Sequence, residues 1–117
     1  MRYMMLIKHT EEYRNHPIPA ALGKAVGEFV TENIRKGRIV DTNGLKPSRE
    51  GKRVQLKGGK LRVIDGPFTE TKELVGGYAI MELDSDREAL EVTIEFVELH
   101  RVHWPEFECE CELRPTE

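Results

Sequence analysis

"GGYAIMELDSDREALEVTIEFVELH", residues 76–100, contains the transition that decides the fold. Its first part, "GGYAIMELD", is a β-type run. Ser85, followed three residues later by Glu88, makes a capping box that opens a helix through about His100. Ala89, Leu90, Thr93, Phe96 and Val97 supply the expected buried face of that helix. A strand that leads into an amphipathic helix must lay its apolar side against it. The question is how often the chain does this.

It does so once more upstream. "RYMMLIK", Arg2 to Lys8, alternates Tyr3, Met5 and Ile7 with Met4 and Leu6. Both sides are apolar, which predicts a central strand. After "HPIP", with Pro19 suited to a first helical turn, Leu22, Val26, Phe29, Val30 and Ile34 recur at helical spacing until Gly37 supplies the stop. "RIVDTNG", Arg38 to Gly44, begins a second strand, and the polar "LKPSREGKR" after it reads as a loop.

Between the two strand-helix units stands "RVQLKGGKLRVIDG". Gly58-Gly59 between β-rich arms predicts a two-residue hairpin turn with positive φ angles, pairing Leu56 with Leu61, Val54 with Val63 and Gln55 with Arg62. At the far end "FECECELR" alternates cleanly, with Phe107, Cys109, Cys111 and Leu113 inward and Glu108, Glu110, Glu112 and Arg114 outward. The order is strand, helix, strand, inserted hairpin, strand, helix, strand. It predicts one α+β domain over residues 1–117, a ferredoxin-like α/β plait with an inserted β-hairpin.

Two helices cover only one side of such a sheet. With Met4, Leu6, Ala79 and Met81 assigned to the helix side, Tyr3, Met5, Ile7, Tyr78 and Ile80 fall on the uncovered side. An apolar patch of that size predicts a homodimer packed sheet against sheet, with a cleft for a small molecule between the layers.

Composition narrows the partners. With 18 basic and 21 acidic residues, the net charge of −3 gives no footprint for nucleic acid or an anionic membrane. The opening "MRYMMLIKHTEE" meets charge within seven residues and carries no cleavage site for export, and no run approaches the ~18 apolar residues of a membrane span. A soluble, cytoplasmic protein is expected. No phosphate loop, nucleophile elbow or dinucleotide fingerprint is present, and no cofactor is implied.

The richest polar stretch is "DGPFTETKELVGGY", Asp65 to Tyr78. Asp65 can cap the backbone of its own turn, Gly66 keeps the corner tight and Pro67 fixes φ. Thr69, Glu70, Thr71, Lys72 and Glu73 add hydroxyl, carboxylate and ammonium groups beside the apolar face of Phe68. A carboxylate near apolar walls and a lysine has a shifted pKa, so Asp65 and Glu70 are the candidate proton-transfer residues. Lys72 is the electrostatic partner and Tyr78 a further hydroxyl; Phe68 and Thr69 are candidate ligand contacts. The competing reading is a turn with ordinary solvated ion pairs.

This stretch resembles the signature of the YCII-related proteins, in the subfamily named for Asp-Gly-Pro-Phe. "RYMMLIK", "GLKP", the strand after the glycine pair and the terminal "ELRP" extend the resemblance over nearly the whole chain. The resemblance implies a ferredoxin-like fold, dimers of the α/β-barrel type and a small bacterial protein. It also implies an association, for some members, with extracytoplasmic-function sigma factors. It supplies no substrate. The wider family suggests a His-Asp acid/base pair, but "AALGKAVGEF" in the first helix contains no histidine.

Two functional readings follow. One is a small-molecule enzyme using acid/base chemistry at a dimer-associated cleft. The other is a non-catalytic ligand-binding or regulatory dimer, linked to sigma-factor-dependent transcription.

His9 and His16 flank the loop after the first strand. If that strand ran parallel to "GGYAIMEL", His9 would lie at the end away from Gly76 and Gly77. His100, His103, Cys109 and Cys111 have an unusual spacing for zinc, and small core cysteines explain the last two better, so no metal is expected.

Overall fold

The computed structural model describes residues 1–10, 16–68 and 74–117. The elements run β1 (Arg2–His9), α1 (Ala20–Arg35), β2 (Ile39–Gly44), β3 (Lys52–Lys57), β4 (Lys60–Asp65), β5 (Leu74–Glu82), α2 (Asp86–His103) and β6 (Glu110–Pro115). A four-stranded sheet has the order β2-β5-β1-β6, with every neighbouring pair antiparallel, and β3 and β4 form a separate two-stranded sheet. This is the ferredoxin-like arrangement, with β1 central as its two apolar faces require and the hairpin inserted between β2 and β5.

Local signals account for the element ends. Pro19 precedes α1, and Gly37 follows it at φ 74°, a left-handed conformation that ends the helix without steric cost. Ser85 Oγ accepts from Glu88 N at 3.1 Å, while Glu88 Oε2 accepts from Asp84 N at 3.3 Å, one residue upstream of the usual capping-box partner. α2 continues to His103. The hairpin turns at Gly58 and Gly59, φ 58° and 74°, and pairs Leu56 with Leu61, Val54 with Val63 and Gln55 with Arg62 as expected.

The assignment of faces on β1 is corrected. β1 runs antiparallel to β5, pairing Tyr3 with Met81 and Met5 with Ala79, so these four share the helix side. Tyr3 and Met5 are buried by the chain's own helices, at 1% and 2% exposure, together with Phe29, Ala89, Val92 and Phe96. The Phe29 and Phe96 rings join α1 to α2 at 5.6 Å between centroids. Ile34 and Leu90, expected to be buried, are exposed. Asn33 takes the inward place beside Ile34, its Nδ2 donating to Phe29 O at 2.8 Å.

The uncovered face is therefore lined by Met4, Leu6 and Ile80, all half-buried, and by polar neighbours. Lys8 Nζ donates to Glu112 Oε1 at 2.6 Å, which holds the Glu112 carboxyl below its usual range. This face is less greasy than the sequence reading assumed.

Tyr3 ties the sheet to the first turn of α2, its phenol donating to Asp86 Oδ1 at 2.5 Å. That hydrogen bond, aided by burial and by the Asp86 charge, pushes the phenol from 10.0 up to about 12. A raised folded-state value favours the neutral phenol, so this contribution to stability is complete below pH 10 and is lost as pH rises through about 12. Urea unfolding between pH 9 and 12 should show a decline in wild type that a Tyr3→Phe variant lacks. Equal slopes for the two proteins would refute it.

Candidate functional site

The loop from Leu45 to Gly51 and the Asp65–Phe68 corner form one unit. A single 3-10 turn at Ser48–Glu50 is closed by Gly51 N donating to Ser48 O at 2.8 Å. The corner docks on it: Gly66 N donates to Gly51 O at 3.0 Å and Phe68 N to Ser48 Oγ at 3.0 Å. A Cβ on Gly66 would lie 1.7 Å from Ser48 O, so only glycine allows this approach. The Gly66-Pro67 peptide is cis. Phe68 is buried, and the Arg53 guanidinium lies 3.9 Å above the centre of its ring.

Between this unit and the end of the four-stranded sheet lies a cleft of about 610 Å³. Leu45, Pro47 and Leu74 give it apolar walls, His9, Ser48 and Arg53 bring polar groups to it, and Lys46 and Glu50 add one charge of each sign to its border. His9, the last residue of β1, continues the Tyr3, Met5, Ile7 row and is 7% exposed. Its ring rests against Phe107 at 5.8 Å, and Phe107 stacks on Trp104 at 4.6 Å. The Nδ1 nitrogen lies 2.8 Å from Thr10 O. A carbonyl can only accept, so Nδ1 carries a proton, and in the neutral ring Nε2 is the basic nitrogen. Nε2 points at Gly76, where a Cβ would sit 1.7 Å from it. Gly76 is thus the space that the imidazole occupies.

Of the residues proposed from sequence, the described ones do not gather here as a group. Asp65 faces outward, its side chain 74% exposed, and accepts from Lys52 Nζ at 2.5 Å across the hairpin. It neither caps its own turn nor lines the cleft. Tyr78 lies toward the opposite face, donating to Asp41 Oδ2 at 2.9 Å and accepting from Asn43 Nδ2 at 3.3 Å. Phe68 does form part of the cleft wall. Thr69, Glu70 and Lys72 lie outside the described residues.

Residues 1–95 match the YCII-related domain. The chain belongs to the YCII-related family. No curated protein matches it. The match includes β1, the Gly44–Pro47 loop and the Asp65–Phe68 corner, and stops within α2, before β6. In this YCII-related chain the end of β1, the Gly44–Pro47 loop and the Asp65–Phe68 corner each bring residues to one cleft, although they are far apart in sequence.

His9, Ser48 and Arg53 were not singled out as the site from sequence. For His9 the available signal was its place at the end of an alternating inward row; the assumption of a parallel β1–β5 pair concealed it. Among the described residues no cluster of three or more His, Cys, Asp or Glu converges to hold a metal ion. Cys109 and Cys111 are free thiols. No described helix is long and apolar enough to cross a membrane.

Proposed function

We propose that the cleft binds a small organic anion and that His9 moves a proton on it, making this YCII-related chain a small-molecule acid/base enzyme. The observation that carries the reading is His9, which is buried, borders the cleft and is held in one tautomer by Thr10 O, with Nε2 directed at Gly76, itself a cleft residue. Arg53 supplies the anion-binding group. Its planar fork suits a carboxylate, and its stacking on Phe68 holds the guanidinium in place. Asp65, paired with Lys52 at the surface, has no part in the proton transfer.

The proposal includes the finer family assignment, the Asp-Gly-Pro-Phe subfamily, on the strength of the docked corner. It also includes a homodimer, favoured by Met4, Leu6 and Ile80 on the face opposite the helices and by the exposed hairpin side chains Leu56 and Leu61, at 73% and 75%.

The test is hydrogen-deuterium exchange at carbon in D2O, followed by proton NMR, over a panel of small carboxylic acids that carry an acidic C–H bond. Catalysed, saturable exchange is expected for at least one. Arg53→Met should raise KM roughly 10- to 100-fold through loss of a charged hydrogen bond. Asp65→Asn should stay within about twofold of wild type, as for other exposed pairs. Exchange that ignores Arg53, or a panel with no exchange at all, would refute the reading.

A further inference from the structure

A second cleft, of about 390 Å³, opens between α1 and the sheet. Its walls are mainly apolar, with Met5 and Ile7 from β1, Val26 and Val30 from α1, Ile39 from β2 and Phe96 from α2, and Thr42 and Asn43 at the β2 edge. Protein interiors are ordinarily packed without spaces of this size. Here the packing is interrupted where Gly44, Gly76 and Gly77 contribute backbone alone to the wall.

The two clefts meet at one of those glycines. Gly76 borders both. Gly44 belongs to the second cleft and its neighbour Leu45 to the first, and Leu45 N donates to Gly76 O at 2.9 Å. The His9 ring stands over the same Gly76. His9 borders the cleft that holds a guanidinium and a serine, and the cleft with mainly aliphatic and aromatic walls adjoins it at Gly76. A ligand spanning the two would place its polar end beside Arg53, its apolar end under α1 and its middle at the imidazole.

We infer that the ligand is an amphiphilic carboxylate, whose apolar chain or ring occupies the α1–sheet cleft while its charged head lies beside Arg53 and its reacting carbon beside His9. The inference rests on the anion-binding reading of the first cleft and extends it. Apolar cavities take up apolar groups, and each methylene transferred from water into such a space tightens binding by about fourfold.

Isothermal titration of wild-type protein with straight-chain carboxylates from acetate to octanoate tests it. Affinity should rise by about fourfold per methylene until the cleft is filled, with one ligand per chain. Octanamide, which lacks the charge, should bind roughly tenfold or more weakly. In a Val26→Phe variant, which narrows the second cleft, the chain-length dependence should flatten while acetate binding is unchanged. Methyl NMR of wild type provides a check independent of that variant's folding: Val26, Val30 and Ile39 signals should move with octanoate and stay in place with acetate. Affinity that is independent of chain length, or octanoate that leaves those methyl groups undisturbed, overturns the inference and leaves the anion site standing. Failure of every carboxylate to bind, acetate and octanoate alike, overturns the anion site and the inference with it.

Discussion

A His9→Gln variant is expected to lose roughly 100- to 10,000-fold in exchange rate, the range found for removal of a positioned general acid or base. Glutamine is close in size and its amide can still donate to Thr10 O, so the packing against Phe107 is disturbed little. What it lacks is a nitrogen that can take and return a proton. The substitution should therefore lower kcat with little change in KM, the reverse of Arg53→Met, because His9 acts on the reacting carbon and Arg53 on the head group. Gly76→Ala probes the same nitrogen from the other side. Its methyl group would need the space in which Nε2 now lies, since only 1.7 Å separates the two positions. The ring must turn away, and exchange should fall with His9 still present. If His9→Gln retains activity within about threefold of wild type, a different group carries the proton and the role assigned to the imidazole is wrong.

The fold was legible in the sequence wherever one residue type left a single conformation open. Gly58-Gly59 admits the positive φ angles of a tight hairpin, and once the turn is placed the pairing of Val54 with Val63 is fixed. Ser85 and Glu88 likewise located the start of α2. β1 was harder because Tyr3, Met5 and Ile7 are no more apolar as a set than Met4 and Leu6, so alternation could not choose the inward side. Topology does choose it. A helix returns the chain so that β2 points the same way as β1, and β5, beside both in the observed order, runs against each. His9 then comes beside Leu74 and Gly76 rather than at the remote end.

The site was less legible, for a related reason. The Asp65–Phe68 corner was recognisable as an important place, but which of its letters faces the cleft depends on a contact with Ser48–Gly51 that no local pattern announces. That contact turns Phe68 inward beneath Arg53 and leaves Asp65 at the surface with Lys52. Tyr78 was grouped with the corner by nearness in sequence. Strand alternation moves it to the face of Asp41 and Asn43.

The docked corner also predicts the larger effect on stability. Gly66→Ala should cost about 2–4 kcal/mol and lower the melting temperature by roughly 10 °C. The added methyl would fall 1.7 Å from Ser48 O and 2.5 Å from Ser48 C, and both are backbone atoms that no rotamer change can move. The corner must separate from the 3-10 turn. Doing so stretches the Gly66 N to Gly51 O and Phe68 N to Ser48 Oγ hydrogen bonds, worth about 1 kcal/mol each, and withdraws part of the Phe68 ring from the cleft wall. Gly59→Ala is the informative comparison. At φ 74° it carries the backbone penalty of a left-handed residue, about 1–2 kcal/mol, but meets nothing within 4 Å. The excess cost of Gly66→Ala over Gly59→Ala in urea unfolding therefore measures the docking of the corner. Anion binding should weaken in the first variant alone, because only there does the platform beneath Arg53 shift. A Gly66→Ala protein that unfolds at the wild-type urea concentration would show that the corner does not need its close contact with Ser48.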